Sequence, residues 1–184
     1  MLPTIALVGR PNVGKSTLFN KLTHSRDALV ANVPGLTRDR RYGRIEMLES
    51  QVTLIDTGGL FGEHVLADEL TGQTQLAVNE ADLVLLLFDG RDGVTASDEE
   101  VVTYLRKSNV AFLPVINKID GLNEDEVIAD FVRFGFPEYA LISASHNRGL
   151  KQLRETMAEK LSLLEIPLSP DPMNEPAGIR VAIV

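Results

Sequence analysis

The spacing of apolar and polar positions changes period repeatedly along the chain. Thr4-Ile5-Ala6-Leu7-Val8 is a continuous apolar run, the pattern of a strand covered on both faces. A glycine-rich stretch follows it. From about Lys15 to Thr23, Leu18, Phe19 and Leu22 recur at helical spacing. Residues 25–42 are polar and aperiodic, hold Pro34-Gly35, and read as a long loop of the kind that usually carries function. Arg44–Leu48 and Gln51–Ile55 flank Glu49-Ser50 as a hairpin. Asp56-Thr57-Gly58-Gly59 opens a second loop to about Thr71, and a helix ends near Glu80. Leu83–Phe88 reads as a fully buried strand. Residues 96–107 read as an amphipathic helix with Val101, Val102 and Leu105 inward. Ala111–Ile116 is the next strand, and Pro114 in it predicts an irregular or bulged start. A helix over Glu124–Phe134, a short strand over Tyr139–Ile142 and a helix over Leu150–Leu164 close the series.

Alternating strands and helices with one early hairpin predict an α/β fold. Its sheet has six strands, mostly parallel, with one antiparallel strand at the edge and helices on both faces. Ligands in such sheets bind outside the carboxyl ends of the strands. Residues 1–165 form this domain. From Ile166 to Pro176 there are four prolines in eleven residues, so 166–178 reads as an extended, semi-rigid linker. Arg180-Val181-Ala182-Ile183-Val184 then echoes Thr4–Val8, and 179–184 reads as the first strand of a second, similar domain. An ordinary terminal strand pairing with an exposed edge is the simpler alternative.

Composition narrows the partners. The chain has 184 residues and no cysteine, which excludes disulfides and thiolate metal sites and fits a reducing, cytoplasmic setting. No apolar run is long enough to span a membrane, and Met1-Leu2-Pro3-Thr4 is not a signal peptide. The net charge of −8 makes the chain a poor general binder of nucleic acid. Arg38, Arg40, Arg41 and Arg44 are a local exception, either a solvated loop or a patch that meets RNA, a phosphate or a partner. His24, His64 and His146 are scattered without ligand spacing, and Asp98-Glu99-Glu100 reads as the acidic first turn of a helix.

Two motifs carry the chemistry. Gly9-Arg10-Pro11-Asn12-Val13-Gly14-Lys15-Ser16, continued by Thr17, is a G-x-x-x-x-G-K-S phosphate loop placed after a strand and before a helix. Its glycines let successive N–H groups turn inward around a β-phosphate, aided by the positive helix end. Lys15 reaches the β- and γ-phosphates, and Ser16 offers a hydroxyl to Mg²⁺. Asp56-x-x-Gly59 ends the third strand; the carboxylate can hold Mg²⁺ through water, and the Gly59 amide can reach the γ-phosphate. Thr37, in the long loop, can complete the Mg²⁺ shell only when the γ-phosphate is there, which makes a switch. Asn117-Lys118-Ile119-Asp120 follows the fifth strand. Its amide and carboxylate suit the edge of guanine, and adenine would leave the Asp120 carboxylate unpaired. Lys118 can lay its stem along the base, and backbone N–H groups at Ser143-Ala144 can meet guanine O6.

This ordered set resembles the sequence motifs of the TRAFAC-class small GTPases. Gly9–Asn20, Pro34–Arg40 and Asp56–Leu60 are worded most like the Era-like group. The proline-rich segment with a re-starting strand is similar to the bacterial family with two tandem Era-like domains. The resemblance implies a P-loop NTPase fold of the Ras-like G-domain type. It implies GTP or GDP with Mg²⁺ as ligands, and a part in assembling the large (50S) ribosomal subunit through that subunit or its rRNA. A second G domain and a KH-like domain would lie beyond this stretch. The nucleotide set is then Gly9, Arg10, Pro11, Asn12, Val13, Gly14, Lys15, Ser16, Thr17, Asp56, Thr57, Gly58, Gly59, Asn117, Lys118, Asp120, Ser143 and Ala144. The metal set is Ser16, Thr37 and Asp56, and the catalytic set is Lys15, Asn12, Thr37 and Gly59.

One position departs from the wider class. Many relatives place a glutamine after the D-x-x-G glycine to orient water; here Leu60 stands there and cannot. That resembles the GTPases with a hydrophobic substitution. Asn12 resembles the loop asparagine with which some Era-like members bind K⁺, which implies slow intrinsic hydrolysis that K⁺ speeds over Na⁺. A binding module that hardly hydrolyses, a P-loop ATPase or kinase, and another Era-like protein are the competing readings.

Overall fold

The computed structural model describes residues 2–23, 41–47, 50–57 and 72–166. Thr37, Arg38, Arg40, Gly58, Gly59, Leu60, His24, His64, the linker from residue 167 and Arg180–Val184 lie outside the described residues. Within them the order is β1 (Thr4–Val8), α1 (Lys15–Leu22), β2 (Arg41–Met47), β3 (Ser50–Asp56), α2 (Gly72–Glu80) and β4 (Leu83–Asp89). Then come α3 (Ala96–Lys107), β5 (Ala111–Asn117), α4 (Glu124–Phe131), a 3₁₀ turn (Val132–Phe134), β6 (Ala140–Leu141) and α5 (Leu150–Leu163). The six strands form one sheet in the order β2-β3-β1-β4-β5-β6. Neighbours run parallel except β2 and β3, so the antiparallel strand stands at the edge.

Both faces of the sheet are covered, as the continuous apolar strands require. Ile5 and Leu7 of β1 face one core with Leu18, Phe19 and Leu22 of α1 and Leu153, Met157 and Leu161 of α5. Ala6 and Val8 face the other, with Val78 of α2, Val102 and Leu105 of α3, and Val127 and Phe131 of α4. All seven residues of β4 are buried. Ile166, just past α5, packs against the first core.

Three expectations change. The edge strand begins at Arg41, not Arg44, because antiparallel pairing continues to Arg41↔Asp56. Arg41 therefore sits exposed on the strand, as Arg44 does, rather than in the loop. Charged side chains are what an edge strand tolerates. No bulge accompanies Pro114, which pairs in regular register with Leu86. Ile142 N–H bonds to Ile116 O, whereas Gly90 N–H bonds to Asn117 O. By the two-residue period of a strand, Pro114 then faces the β6 side, where pairing starts only at Val115↔Ala140. Its missing N–H costs no ladder bond. The helix over Glu124–Phe134 tightens to a 3₁₀ turn after Phe131 and stops at Gly135, whose φ of 64° is left-handed.

The helix caps differ in a way that matters later. Thr95 caps α3 in a capping box with Asp98, so the acidic run opens the helix as expected. Asn123 accepts from Asp125 N–H and caps α4. Gly14 opens α1 with no side-chain cap and no acidic residue in its first turn. At the other end of α1, Arg154 of α5 donates to Leu22 O at 2.9 Å and to Glu46 O at 3.2 Å, tying α1, α5 and β2 together.

Gly43 is where β2 crosses α1. A methyl added there would press on Thr23 Cγ2 and lie 2.8 Å from Phe19 Cζ. Gly43→Ala is expected to lower unfolding free energy by about 1–3 kcal/mol, the usual cost of overpacking, read from urea melts. A melt unchanged from the parent chain would show that β2 and α1 are not packed this closely.

Candidate functional site

At the carboxyl ends of the strands the loops after β1, β4, β5 and β6 meet, with Asp56 and Thr57 at the end of β3 beside them. The loop after β1 is shaped by two glycines. Gly9 has φ 153° and a Cβ there would strike Leu87 O. Gly14 has φ 98° and a Cβ there would strike the side-chain amide of Asn117. Asn12, between them, is also left-handed at φ 66°, a conformation asparagine tolerates better than most. Its side chain is exposed and makes no hydrogen bond to the described residues. Pro11 and Thr17 are exposed, Val13 is buried, and Ser16 is half-buried.

Lys15 is buried, with 4% of its surface exposed, although it carries an ammonium. Its Nζ donates to Gly9 O at 2.7 Å and Arg10 O at 2.8 Å. Burial lowers its pKa to about 8, Arg10 adds to that effect, and the Asp56 carboxylate opposes it. Asp56, fully buried at the end of β3, is thus a close electrostatic partner of Lys15. Thr57 turns inward and donates to Leu7 O at 2.6 Å. The uncapped α1 N-terminus and a buried ammonium beside it make a site suited to an anion with several oxygens.

Asn117, at the end of β5, joins three of the loops. Its amide donates to Val13 O at 2.9 Å and its carbonyl accepts from Ala144 N–H at 3.0 Å. Lys118 has φ 67°, and its ammonium donates to Asp89 Oδ2 at 2.5 Å. Burial pushes the Asp89 carboxyl up, but Lys118 and the Arg91 amide hold it below the usual range. Asp120 Oδ1 accepts from Ser143 Oγ at 2.7 Å. That bond, with help from Arg91, holds the Asp120 carboxyl below the usual range. His146 lies on the surface, its Nδ1 3.0 Å from Ser143 Oγ.

The motif residues that fall among the described residues are therefore brought together at one end of the sheet. Sequence reasoning missed several partners. Arg10 turns away from the loop axis to Asp92, at 2.7 Å, and to Asp98, at 3.5 Å. Asp89 could have been found, being an acid at the end of an apolar strand just as Asp56 is. Nothing in the sequence marked Arg91. A cavity of about 240 Å³ between β6 and α5, lined by Leu113, Glu138, Tyr139 and Gln152, includes none of the motif residues. No group of three or more His, Cys, Asp or Glu able to hold a metal occurs among the described residues. Any metal would rest on mixed donors such as Ser16 and Asp56.

Comparison with known proteins agrees with this geometry. A family model of 50S ribosome-binding GTPases matches residues 4–118. The GTPase Der of Marinomonas sp. (strain MWYL1) is 49% identical over 189 residues, covering all of this chain and 42% of that protein. The chain thus spans about two fifths of the length of the curated relatives it matches. Era from Aquifex aeolicus, bound to GDP·AlF₄⁻, superposes with a TM-score of 0.70 at 27% identity, covering 92% of this chain and 58% of that one. Era bound to MgGDPNP and a 16S ribosomal RNA fragment gives a TM-score of 0.70 at 27% identity, over 93% of this chain and 58% of that one. The chain belongs to the 50S ribosome-binding GTPase family, and its fold is that of a P-loop G domain.

A buried lysine with a pKa of about 8 links phosphate binding to protons. Phosphate oxygens favour the ammonium and raise that pKa, so the complex holds a proton that the free protein has begun to lose. GDP affinity should fall as pH rises through 8, by up to about tenfold per unit above it. Calorimetry at pH 8.5 in two buffers of different ionisation enthalpy should show proton uptake with GDP. None should appear at pH 7, nor with guanosine, which has no phosphate. Absence of uptake with GDP at pH 8.5 would place the Lys15 pKa near its ordinary value.

Proposed function

We propose that this G domain, a member of the 50S ribosome-binding GTPase family, binds GTP and hydrolyses it to GDP and phosphate. The observation that carries the reading is the convergence at one end of the sheet of Lys15, Asp56 and the pair Asn117 and Asp120, which follow β1, β3 and β5 respectively. The phosphates would lie over the N-terminus of α1 with Lys15. Its ammonium would exchange two backbone carbonyls for phosphate oxygens. The base would lie between Lys118 and the loop at Ser143-Ala144. Asn117 has committed one amide proton to Val13 O and keeps a second for the base.

The donors fit a hard cation: the Ser16 hydroxyl beside Lys15 and the buried Asp56 carboxylate are oxygen ligands of the kind Mg²⁺ takes. When bound there with Thr37, Mg²⁺ would neutralise charge across the β- and γ-phosphates. The Gly59 amide and the residues Thr57 and Gly58 are proposed to attend the γ-phosphate. With Leu60 unable to hold water, we assign to Asn12 the task of helping to seat K⁺ against the phosphates. Its exposed amide is unengaged by the described residues. Charge on the leaving group would be stabilised in that way.

For the wider role we infer association with the large ribosomal subunit or its rRNA. The family description and the RNA-bound Era neighbour support this, and the exposed Arg41 and Arg44 of β2 are basic side chains on the sheet edge that such a partner could meet. A cytoplasmic location fits that role. No described helix is long and apolar enough to cross a membrane.

The deciding assay is turnover with Mg²⁺ in matched KCl and NaCl, with ATP as the control nucleotide. GTP but not ATP should turn over, faster in K⁺. Asn12→Ala should lose most of the K⁺ advantage while still binding GDP. Retention of the full K⁺ response by Asn12→Ala would remove Asn12 from that role. GTP bound without turnover in either salt would make the chain a binding module.

A further inference from the structure

The turn between β4 and α3, Gly90-Arg91-Asp92-Gly93, lies between the phosphate loop and the Asn117–Asp120 loop and touches both. Gly90 N–H donates to Asn117 O at 2.8 Å, and Arg91 N–H donates to Asp89 Oδ1 at 2.9 Å. These bonds fix the turn and send its two charged side chains opposite ways. Asp92 takes Arg10 of the phosphate loop. Arg91 reaches Asp120, its Nη2 donating to the carboxylate Oδ2 and, at 2.9 Å, to the backbone carbonyl of the same residue.

This pair is a poor device for stability. The Arg91 side chain is 52% exposed and that of Asp120 26%, and ion pairs so open to water contribute little. Its geometry has another use. A carboxylate offers about four lone-pair positions, two on each oxygen. Ser143 Oγ–H occupies one on Oδ1, and Arg91 occupies one on Oδ2. The Asp120 backbone N–H also bonds to the carboxylate and His146 Nδ1 lies 3.6 Å from Oδ1, yet the group is 26% exposed and open to further donors at its two oxygens. That is the pattern the guanine edge needs, with its N1–H and 2-amino group as parallel donors.

We propose that Arg91 is a positioning residue for guanine recognition. It fixes the rotation of the Asp120 carboxylate so that both oxygens face the base at once. The inference rests on reading this site as a guanine-nucleotide site. Without Arg91, the side-chain hydrogen bond to the carboxylate among the described residues is that of Ser143 at Oδ1, and the group can tip. A base that needs both oxygens then suffers more than a base that needs one. Hypoxanthine is such a base: it keeps N1–H and lacks the 2-amino group.

The test is the ratio of dissociation constants for IDP and GDP, by displacement of fluorescent GDP, in the parent chain, Arg91→Ala, Arg91→Lys and Arg133→Ala. The last removes an exposed arginine paired with Glu99 and controls for net charge. Arg91→Ala should lower the ratio about 5- to 10-fold, by weakening GDP and leaving IDP within about twofold. Arg91→Lys, which keeps a donor, should recover part of the ratio, and Arg133→Ala should leave it unchanged. Equal weakening of GDP and IDP would reduce Arg91 to a general attractor of phosphate and overturn the proposal. An unchanged ratio would overturn it as well. So would tighter GDP binding, which would mean that Arg91 competes with the base. A parent chain that binds ADP as well as GDP would overturn the guanine reading itself, and the role of Arg91 with it.

Discussion

Three loops that leave three different strands meet at one carboxamide. Asn117 is buried, donates to Val13 O of the first loop and accepts from Ala144 N–H of the last. A buried amide that loses such partners leaves polar groups stranded at a cost of about 1–3 kcal/mol each. The arrangement of loops is therefore over-determined at this point. The absence of a side chain at Gly14 follows from it, since a Cβ there would take the space of the Asn117 amide. So does the backbone of Lys118, the next residue, held left-handed and tethered through Asp89. Such strain persists only where the surroundings enforce it.

Against that rigid frame the phosphate end is built to be incomplete. The Lys15 ammonium is nearly excluded from water, and that burial lowers its pKa even against the pull of the Asp56 carboxylate. The α1 N-terminus adds amides that no side chain caps. α3, a few residues beyond β4, has every device that α1 lacks: a capping box and acids in its first turn. The contrast within one chain separates a helix end that terminates structure from one that is available to a ligand. Burial of Lys15 raises the energy of the free protein and so enlarges the gain when an anion arrives.

Much of the fold was legible because parallel strands covered on both faces must be continuously apolar, and β1 and β4 are. The edge strand was read short, because Arg41 and Tyr42 looked like loop residues until pairing with β3 was seen. Pro114 was over-read: which side of a strand a missing N–H faces depends on neighbours that periodicity does not reveal. At the site, Gly9, Lys15, Asp56 and Asn117 were legible as members of spaced motifs. Arg91 to Asp120 spans 29 residues and Arg10 to Asp92 spans 82, with no periodic element linking the members of either pair. Only the placement of the β4–α3 turn brings them together, and no local pattern encodes that placement.

β1 lies inside the sheet, between β3 and β4. β1 thus has no hydrogen-bonding neighbour in this sheet until residues 50–56 and 83–89 have followed it from a ribosome. The bond from Asn117 to Val13 closes a loop of 104 residues. Contacts so distant in sequence are entropically late and slow to form. By that ordering the phosphate loop would be made before β5 and take its final shape only after β5 is in place. During translation, a nascent chain would expose the signature of the site long before it could hold a nucleotide. Capture of nucleotide would then mark a finished domain and draw the last folding equilibrium to completion by mass action.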